Sequence, residues 1–147
     1  MPTRTVAVSG GFDPVHRGHI RYFKAAAKLG TRLVVFLNSD EWLVKKKGYC
    51  FMKWEERREV LTAIRWVAEV LPVDDADGTV AAAIRRYRPQ IFANGGDRVA
   101  AVAQEAAACS EVGCRMVFGV GGGKIQSSSS LVKQRLSETI RKEVTGG

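Results

Sequence analysis

The sequence has few of the residues that build metal centres or covalent frameworks, with two histidines, three cysteines and four prolines among 147 residues. Cys50, Cys109 and Cys114 are odd in number and unpatterned, which argues against a disulfide framework and favours free thiols in a reducing cytoplasm. No apolar stretch approaches the roughly 20 residues of a membrane span. Residues 1–4 lead directly into a predicted strand, so no signal peptide is expected. These absences predict a cytoplasmic protein without membrane contact.

No single segment concentrates the positive charge, although the formal net charge is +8. The cations lie in short, separated clusters: Lys45–Lys47, Arg57–Arg58, Arg85–Arg86 and Lys133–Lys142. Aromatic residues, 8% of the chain, do not alternate with these clusters as a base-stacking surface requires. We therefore expect the positive charge to bind small polyanions such as nucleoside triphosphates, and no nucleic-acid partner is predicted. Steeply salt-dependent binding of long RNA would indicate the alternative.

Short apolar segments alternate with helical patterns along the chain. The predicted strands are Thr5–Val8, Arg32–Leu37, Ala68–Val73, Gln90–Ala93 and Arg115–Val120. The predicted helices are Ile20–Leu29, a segment with the stripe Val60, Leu61, Ile64 and Val67, the segment Val80–Tyr87, residues 99–112, and a last helix with Val132, Leu136 and Ile140. This alternation predicts an α/β fold, with a Rossmann-like doubly wound sheet of about five parallel strands and helices on both faces. We expect one domain over residues 1–147.

In such a sheet, ligands bind beyond the carboxyl ends of the strands, where the strand order reverses. The segments that follow the first, second, fourth and fifth strands are therefore expected to line the site. They are Gly10–His19, Asn38–Gly48, Asn94–Asp97 and Gly119–Ser130.

The first of these segments contains both histidines of the chain at a strand-to-helix turn. Gly10 and Gly11 allow a ligand to approach the backbone, and Gly18 keeps bulk away from His16 and His19. A helix N-terminus is an anion site, and two imidazoles beside it can donate hydrogen bonds to a reacting phosphate. The alternative is that both histidines are ordinary surface residues or metal ligands.

The whole turn, Gly10-Gly11-Phe12-Asp13-Pro14-Val15-His16-Arg17-Gly18-His19, resembles the G-x-F-D-x-x-H-x-G-H signature of the HxGH nucleotidylyltransferase superfamily. The resemblance implies transfer of a nucleotidyl group from a nucleoside triphosphate to a phosphate, with release of pyrophosphate. It places His16 and His19 in catalysis, and Gly10, Gly11, Phe12, Asp13 and Gly18 at the nucleotide.

Lysines follow the second strand in a segment that we read as a loop. Lys47, before Gly48, matches the catalytic lysine of the superfamily, with Lys46 as the second candidate. The alternative is a solvated loop, as charge runs usually are. Further along, Arg57 matches the arginine of an E-x-R helix in cytidylyltransferases, and it could instead form a purely structural pair with Glu55 or Asp13.

Two further segments resemble nucleotide-binding motifs of the superfamily. Asn94, Gly95 and Asp97 lie in a glycine turn that resembles V-K-G-G-D, although Asn94 replaces the lysine and Asp97 could simply cap a helix. Arg98 is a candidate substitute for that lysine. Near the end of the chain the resemblance to S-T-T motifs implies phosphate binding by Ser127, Ser128 and Ser129. Lys124 is a candidate substitute for that motif's arginine; the alternative is a flexible serine linker. Ile125 after Lys124 does not fit a phosphate-binding loop of the Walker type.

The chain as a whole is most similar to the glycerol-phosphate cytidylyltransferase type. That resemblance favours CTP as the donor and a small phosphorylated or phosphonate acceptor, in a homodimer. The alternatives are ATP with a sugar phosphate or nicotinamide mononucleotide, and a nucleotide-binding domain without catalysis. Mg²⁺ is expected to arrive with the nucleotide, with Asp13 as a possible contact, since the sequence shows no metal-ligand cluster.

Overall fold

Five parallel strands form a single sheet in the computed structural model, which describes residues 3–96 and 102–122. The spatial order of the strands is β3-β2-β1-β4-β5. They are β1 (Thr5–Gly10), β2 (Arg32–Leu37), β3 (Val67–Pro72), β4 (Ile91–Gly95) and β5 (Arg115–Val120). The predicted α/β class and doubly wound parallel sheet are confirmed, with strand ends that differ from prediction by at most two residues.

Five helices cover the two faces of the sheet within the described residues. They are α1 (Arg17–Ala27), α2 (Asp40–Lys47), α3 (Trp54–Thr62), α4 (Ala81–Tyr87) and α5 (Ala103–Val112). Alternate residues of each strand supply two separate cores. Val6 and Val8 of β1 pack with Phe23 of α1 and Leu61 of α3, whereas Ala7 packs with Ile84 of α4 and other residues of α4 and α5. The near-continuous apolar strands are explained by this burial on both faces.

Helix α2 was not predicted, since the segment after β2 read as a loop. Its apolar pattern is weak, and Leu43 is its one buried residue. Signals at the helix ends were present, however. Ser39 caps the N-terminus by accepting a hydrogen bond from the Trp42 N–H at 3.1 Å, and Gly48 ends the helix with a φ of 85°. The lysines that we assigned to a loop therefore form the last turn of a helix, where cations are favoured.

The predicted second apolar stripe was wrong beyond its first half. Helix α3 ends at Thr62, so only Val60 and Leu61 belong to it, and Val67 begins β3. Leu61 is buried, whereas Val60 is 40% exposed. These residues had the spacing of a single helix because Ile64, after the end of α3, and Val67, at the start of β3, continue its apolar period.

The sheet opens a crevice at the point where its strand order reverses. The pairing of β1 with β2 continues to Gly10 and Leu37 at the carboxyl ends. The pairing of β1 with β4 includes only the steps from Val6 and Ala7, so the two strands separate beyond them. The turn after β1 lies at the mouth of this gap, as predicted for a ligand site.

Some predictions fall on residues that the structure does not describe. These include the last helix, and residues 99–101 of the predicted helix at 99–112, of which Ala103–Val112 is observed as α5. The extent of one domain over residues 1–147 also stays a prediction. Within residues 3–96 and 102–122, no helix is long and apolar enough to cross a membrane.

We expect Phe92→Ala to lower the free energy of unfolding by about 3–5 kcal/mol, because it would leave a cavity in the centre of the sheet. Phe92 is fully buried in the core beneath α4 and α5. Urea denaturation followed by circular dichroism measures the change. Val44→Ala on the exposed face of α2 serves as the control, with an expected change within about 0.5 kcal/mol. Equal stability of the two variants would contradict the assignment of this core.

Candidate functional site

The turn after β1 is shaped by close packing against α2. A Cβ on Gly11 would lie 2.5 Å from Leu43 Cδ2, so a larger residue would force the Leu43 side chain to move. Phe12 adopts a left-handed φ of 47°, and the Asp13–Pro14 peptide bond is cis. The Phe12 ring packs edge-on against His19 at a centroid distance of 4.9 Å. The backbone of the turn is thereby held against both β2 and α1, with the Gly10 carbonyl accepting from the Asn38 N–H at 3.0 Å.

The side chains of the two histidines cap the N-terminus of α1 by accepting hydrogen bonds from main-chain N–H groups. His16 is the N-cap residue, and its Nδ1 accepts a hydrogen bond from the Gly18 N–H at 3.1 Å. His19 Nδ1 in turn accepts from the His16 N–H at 3.1 Å. The rings stack with centroids 3.8 Å apart. Gly18 permits this arrangement, because a Cβ there would lie 2.9 Å from His16 Cε1.

This capping decides which ring nitrogens remain as donors. A neutral imidazole has one acceptor nitrogen and one N–H, so a ring that accepts at Nδ1 carries its proton on Nε2. Burial, with a smaller contribution from the charge of His16, lowers the pKa of His19 to about 3. His19 is therefore neutral at physiological pH and donates through Nε2. Such a donor can stabilise an anion without bringing a positive charge of its own.

Lys47 is held at the same turn by Asp13. Its Nζ donates to the Asp13 carbonyl oxygen at 2.7 Å and lies 3.2 Å from Asp13 Oδ2. It also lies 4.7 Å from the centroid of the Tyr49 ring. Lys46 points elsewhere, with its Nζ 4.7 Å from the centroid of the Trp42 ring. The structure thus brings the first lysine candidate, rather than the second, to the histidine turn.

The Asp13 carboxylate faces the protein. It is almost fully buried, and besides Lys47 it accepts hydrogen bonds from the Phe51 N–H at 2.7 Å and the Met52 N–H at 2.6 Å. These bonds fix the segment between α2 and α3. Among residues 3–96 and 102–122 no cluster of three or more His, Cys, Asp or Glu side chains could hold a metal ion. The described residues therefore do not fit a protein-held Mg²⁺ site built on Asp13.

Arg57 is a buried structural hub whose partners differ from those we expected. It pairs with Asp40 at 2.6 Å, and neither Glu55 nor Asp13 is its partner. Its remaining hydrogen bonds reach three main-chain carbonyl oxygens, those of Gly11 at 2.8 Å, Asn38 at 2.8 Å and Met52 at 2.9 Å. Glu55 lies two positions before Arg57 on the same helix and faces another direction, and burial turns the guanidinium toward the sheet edge.

Asp40, at the start of α2, has a lowered pKa. Partial burial raises the pKa, but hydrogen bonds from Arg57 and the Cys50 thiol, together with the positive charge of Arg57, outweigh that effect. The carboxylate therefore stays ionised and completes the pair with the buried guanidinium.

Asp75 is a site-shaping residue that the sequence reasoning missed. It follows β3 and accepts hydrogen bonds from Asn38 Nδ2 at 3.0 Å, the Ser39 N–H at 2.8 Å and Ser39 Oγ at 2.7 Å. These bonds anchor the start of α2. Ligands of such sheets bind beyond the carboxyl ends of the strands. Had the segment after the third strand been included among the site segments, this aspartate would have been identified.

Of the remaining predicted site residues, some lie within the described part of the chain and others lie outside it. Asn94 is buried in β4, and its Nδ2 donates to the Val117 carbonyl at 3.3 Å. Gly95 is the last residue of the same strand. The structure thus unites the β1 turn with Lys47 and places Asn94 on the far side of the crevice. The following candidates lie outside the described residues: Asp97, Arg98, Lys124, Ser127, Ser128 and Ser129.

Because the pKa of His19 is about 3 rather than the usual 6.5, its imidazole resonances should not titrate between pH 8 and pH 5 in an NMR experiment. The unfolded chain takes up this proton near pH 6.5 and the folded chain does not. The free energy of unfolding therefore does not depend on His19 protonation above pH 6.5. It falls by about 1.4 kcal/mol per pH unit as the pH drops from 6.5 toward 3. A His19 titration near pH 6.5 would contradict this burial.

Arg57→Met should lower the free energy of unfolding by about 3–5 kcal/mol, because it removes the positive charge beside Asp40 and the donor to the Gly11 and Asn38 carbonyl oxygens. Urea denaturation measures the loss. Arg85→Met is the matched control, since Arg85 forms an exposed pair with Glu111. Its urea midpoint should stay unchanged. Equal midpoints for the two variants would show that the hydrogen bonds of Arg57 do not stabilise the fold.

Comparison with known proteins adds independent information on this site. A family model described as cytidylyltransferase-like matches residues 7–135. The chain is 39% identical over 95 residues to FAD synthase of Pyrococcus horikoshii, covering 63% of each protein. It is 38% identical over 69 residues to glycerol-3-phosphate cytidylyltransferase of Bacillus subtilis, covering 47% of this chain and 54% of that protein. It thus spans less than two thirds of the length of these curated relatives.

A solved structure of the same fold class is the lipopolysaccharide core biosynthesis protein of Thermoplasma volcanium. It superposes with a TM-score of 0.72 over 85% of this chain and all of that one, at 22% identity. This likeness shows the fold. The family match covers most of the chain and includes the histidine turn, Lys47 and the strands around them. The chain therefore belongs to the cytidylyltransferase-like family.

Proposed function

We propose that the protein transfers a nucleotidyl group from a nucleoside triphosphate to the phosphate or phosphonate of a small acceptor and releases pyrophosphate. The observation that carries the proposal is the neutral imidazole of His19, stacked on His16 at a helix N-terminus and next to an anchored lysine. Family membership and relatives named as a FAD synthase and a glycerol-3-phosphate cytidylyltransferase support the same chemistry.

The reaction is a direct in-line attack of an acceptor oxygen on the α-phosphorus. The acceptor oxygen is already anionic, so no strong base is needed, and catalysis comes from positioning and charge stabilisation. His16 and His19 would donate hydrogen bonds from Nε2–H to oxygens of the α-phosphate and to its bridging oxygen to the leaving group. Lys47 would neutralise charge on the departing pyrophosphate. The N-terminal N–H groups of α1 add positive potential at the same place.

The remaining contacts follow from the resemblance described above. Backbone groups of the β1 turn and of Asn94 and Gly95 would line the nucleotide, with Asp97, Lys124 and Ser127–Ser129 as further candidates. Mg²⁺ would arrive bound to the triphosphate. We propose CTP as the donor and a homodimer as the functional form. ATP is the alternative donor, and turnover with both nucleotides and a panel of sugar, polyol and phosphonate acceptors distinguishes them.

A second candidate function is nucleotide binding without catalysis. The observation that favours it is that His16 and His19 already have a structural role, since their Nδ1 atoms accept the hydrogen bonds that cap α1. Calorimetry and a pyrophosphate-release assay separate the two functions. Binding of CTP or ATP without release of pyrophosphate from the nucleotide in the presence of any acceptor would support the binding domain and reject the enzyme.

We expect His16→Ala and His19→Ala each to lower kcat at least about 100-fold, the loss typical of removing one transition-state donor. Steady-state pyrophosphate release measures kcat. Lys24→Ala, an exposed position on the same helix, is the control and should retain full turnover. Circular dichroism verifies folding of each variant. Turnover within a few-fold of the parent protein in both histidine variants would remove them from catalysis.

A further inference from the structure

The chain has three tyrosines, and one of them lacks an evident structural use for its hydroxyl. Tyr22 donates its hydroxyl to the Ala93 carbonyl, and Tyr87 donates to the Pro72 carbonyl at 3.1 Å. The Tyr49 hydroxyl oxygen is enclosed, yet it has no hydrogen-bond partner among residues 3–96 and 102–122. Buried tyrosine hydroxyls normally find a partner, because they give up water when the chain folds. The described part of the fold therefore explains the Tyr49 ring but not its oxygen.

The ring of Tyr49 lies directly beside the anchored lysine. Lys47 Nζ is 4.7 Å from the ring centroid, and the same ammonium donates to the Asp13 carbonyl oxygen. A phenylalanine would offer the same face to this cation, since the attraction comes from the ring quadrupole. The hydroxyl must therefore have a role that the lysine contact does not account for.

The main chain on both sides of Tyr49 is held in place. Gly48 ends α2 in a left-handed conformation, and two residues after Tyr49 the Phe51 N–H donates to Asp13 Oδ2 at 2.7 Å. Tyr49 is thus presented on a short segment held at one end by the C-terminus of α2 and at the other by Asp13 of the histidine turn. Groups held in this way lose little freedom on binding, which is what a substrate contact requires.

We propose that Tyr49 is a substrate-binding residue whose hydroxyl donates a hydrogen bond to the phosphate that Lys47 binds. The inference rests on the proposed nucleotidyl transfer and names a further residue of the same site. A bound phosphate attracts the Lys47 ammonium away from Asp13 and toward the phosphate oxygens. This movement uncovers the Tyr49 ring. The same phosphate then supplies the acceptor for the Tyr49 hydroxyl. This phosphate belongs either to the triphosphate or to the acceptor.

The test is Tyr49→Phe, which removes one oxygen and keeps the ring. Because no described partner is lost, the melting temperature should stay equal to that of the parent protein or rise. The value of kcat/KM should fall about 10-fold or more for one substrate, the effect of losing a hydrogen bond to a charged group. Separate titrations of the nucleotide, CTP or ATP, and of the acceptor, glycerol 3-phosphate first, show which phosphate is contacted.

Tyr87→Phe is the matched control with the opposite signature. It removes the hydrogen bond to the Pro72 carbonyl, far from the histidine turn, so the melting temperature should fall slightly and kcat/KM should not change. If Tyr49→Phe behaves as this control does, or if its kcat/KM stays within twofold of the parent for both substrates, the inference is overturned.

Binding of inorganic pyrophosphate, measured by calorimetry, separates this inference from the proposed function. If the parent protein shows no turnover with any pair of substrates, the proposed function fails. The role of Tyr49 is then decided by the binding of pyrophosphate and, in a second titration, of glycerol 3-phosphate. Affinity for either ligand at least about 10-fold weaker in Tyr49→Phe supports the contact. Equal affinities of the two proteins for both ligands, or no binding of either ligand by the parent protein, reject it.

Discussion

The site depends most on one buried cation, the guanidinium of Arg57. A buried arginine needs acceptors for its N–H groups, and here four hydrogen bonds reach four separate segments: the β1 turn, the end of β2, the start of α2 and the segment before α3. None of these segments can shift alone without costing the cation a partner. The relative position of the histidine turn and the lysine helix is therefore fixed before any substrate binds, which is the condition for catalysis by preorganised charge.

Within that frame, the histidine turn uses its own side chains to complete a helix. The first N–H groups of a helix need acceptors, which serine, threonine or aspartate usually provide. Here His16 and His19 do so through Nδ1, and the reciprocal capping holds the rings stacked. The same bonds leave Nε2 as the proton-bearing nitrogen. One arrangement thus stabilises the helix and leaves an Nε2–H group on each ring as a donor.

Much of the fold could be predicted from the sequence because its signals are local. Apolar strands such as Arg32–Leu37, buried on both faces, stand out from the polar segments between them. The glycine–histidine turn was recognisable for the same reason, since its capping hydrogen bonds join residues two and three positions apart. Helix α2 was missed although its end signals were local, because it buries a single leucine and so lacks an apolar stripe.

The amino-acid sequence by itself determined the elements, the parallel sheet and the identity of the turn that begins α1. Only the tertiary structure decided that Arg57 pairs with Asp40, that Asp13 holds Lys47 and two main-chain N–H groups, and that Asp75 anchors α2. These contacts join residues 17–39 positions apart. Propensity and periodicity act over one or two turns, whereas the partner of a buried charge is chosen by which acceptors the folded chain encloses with it.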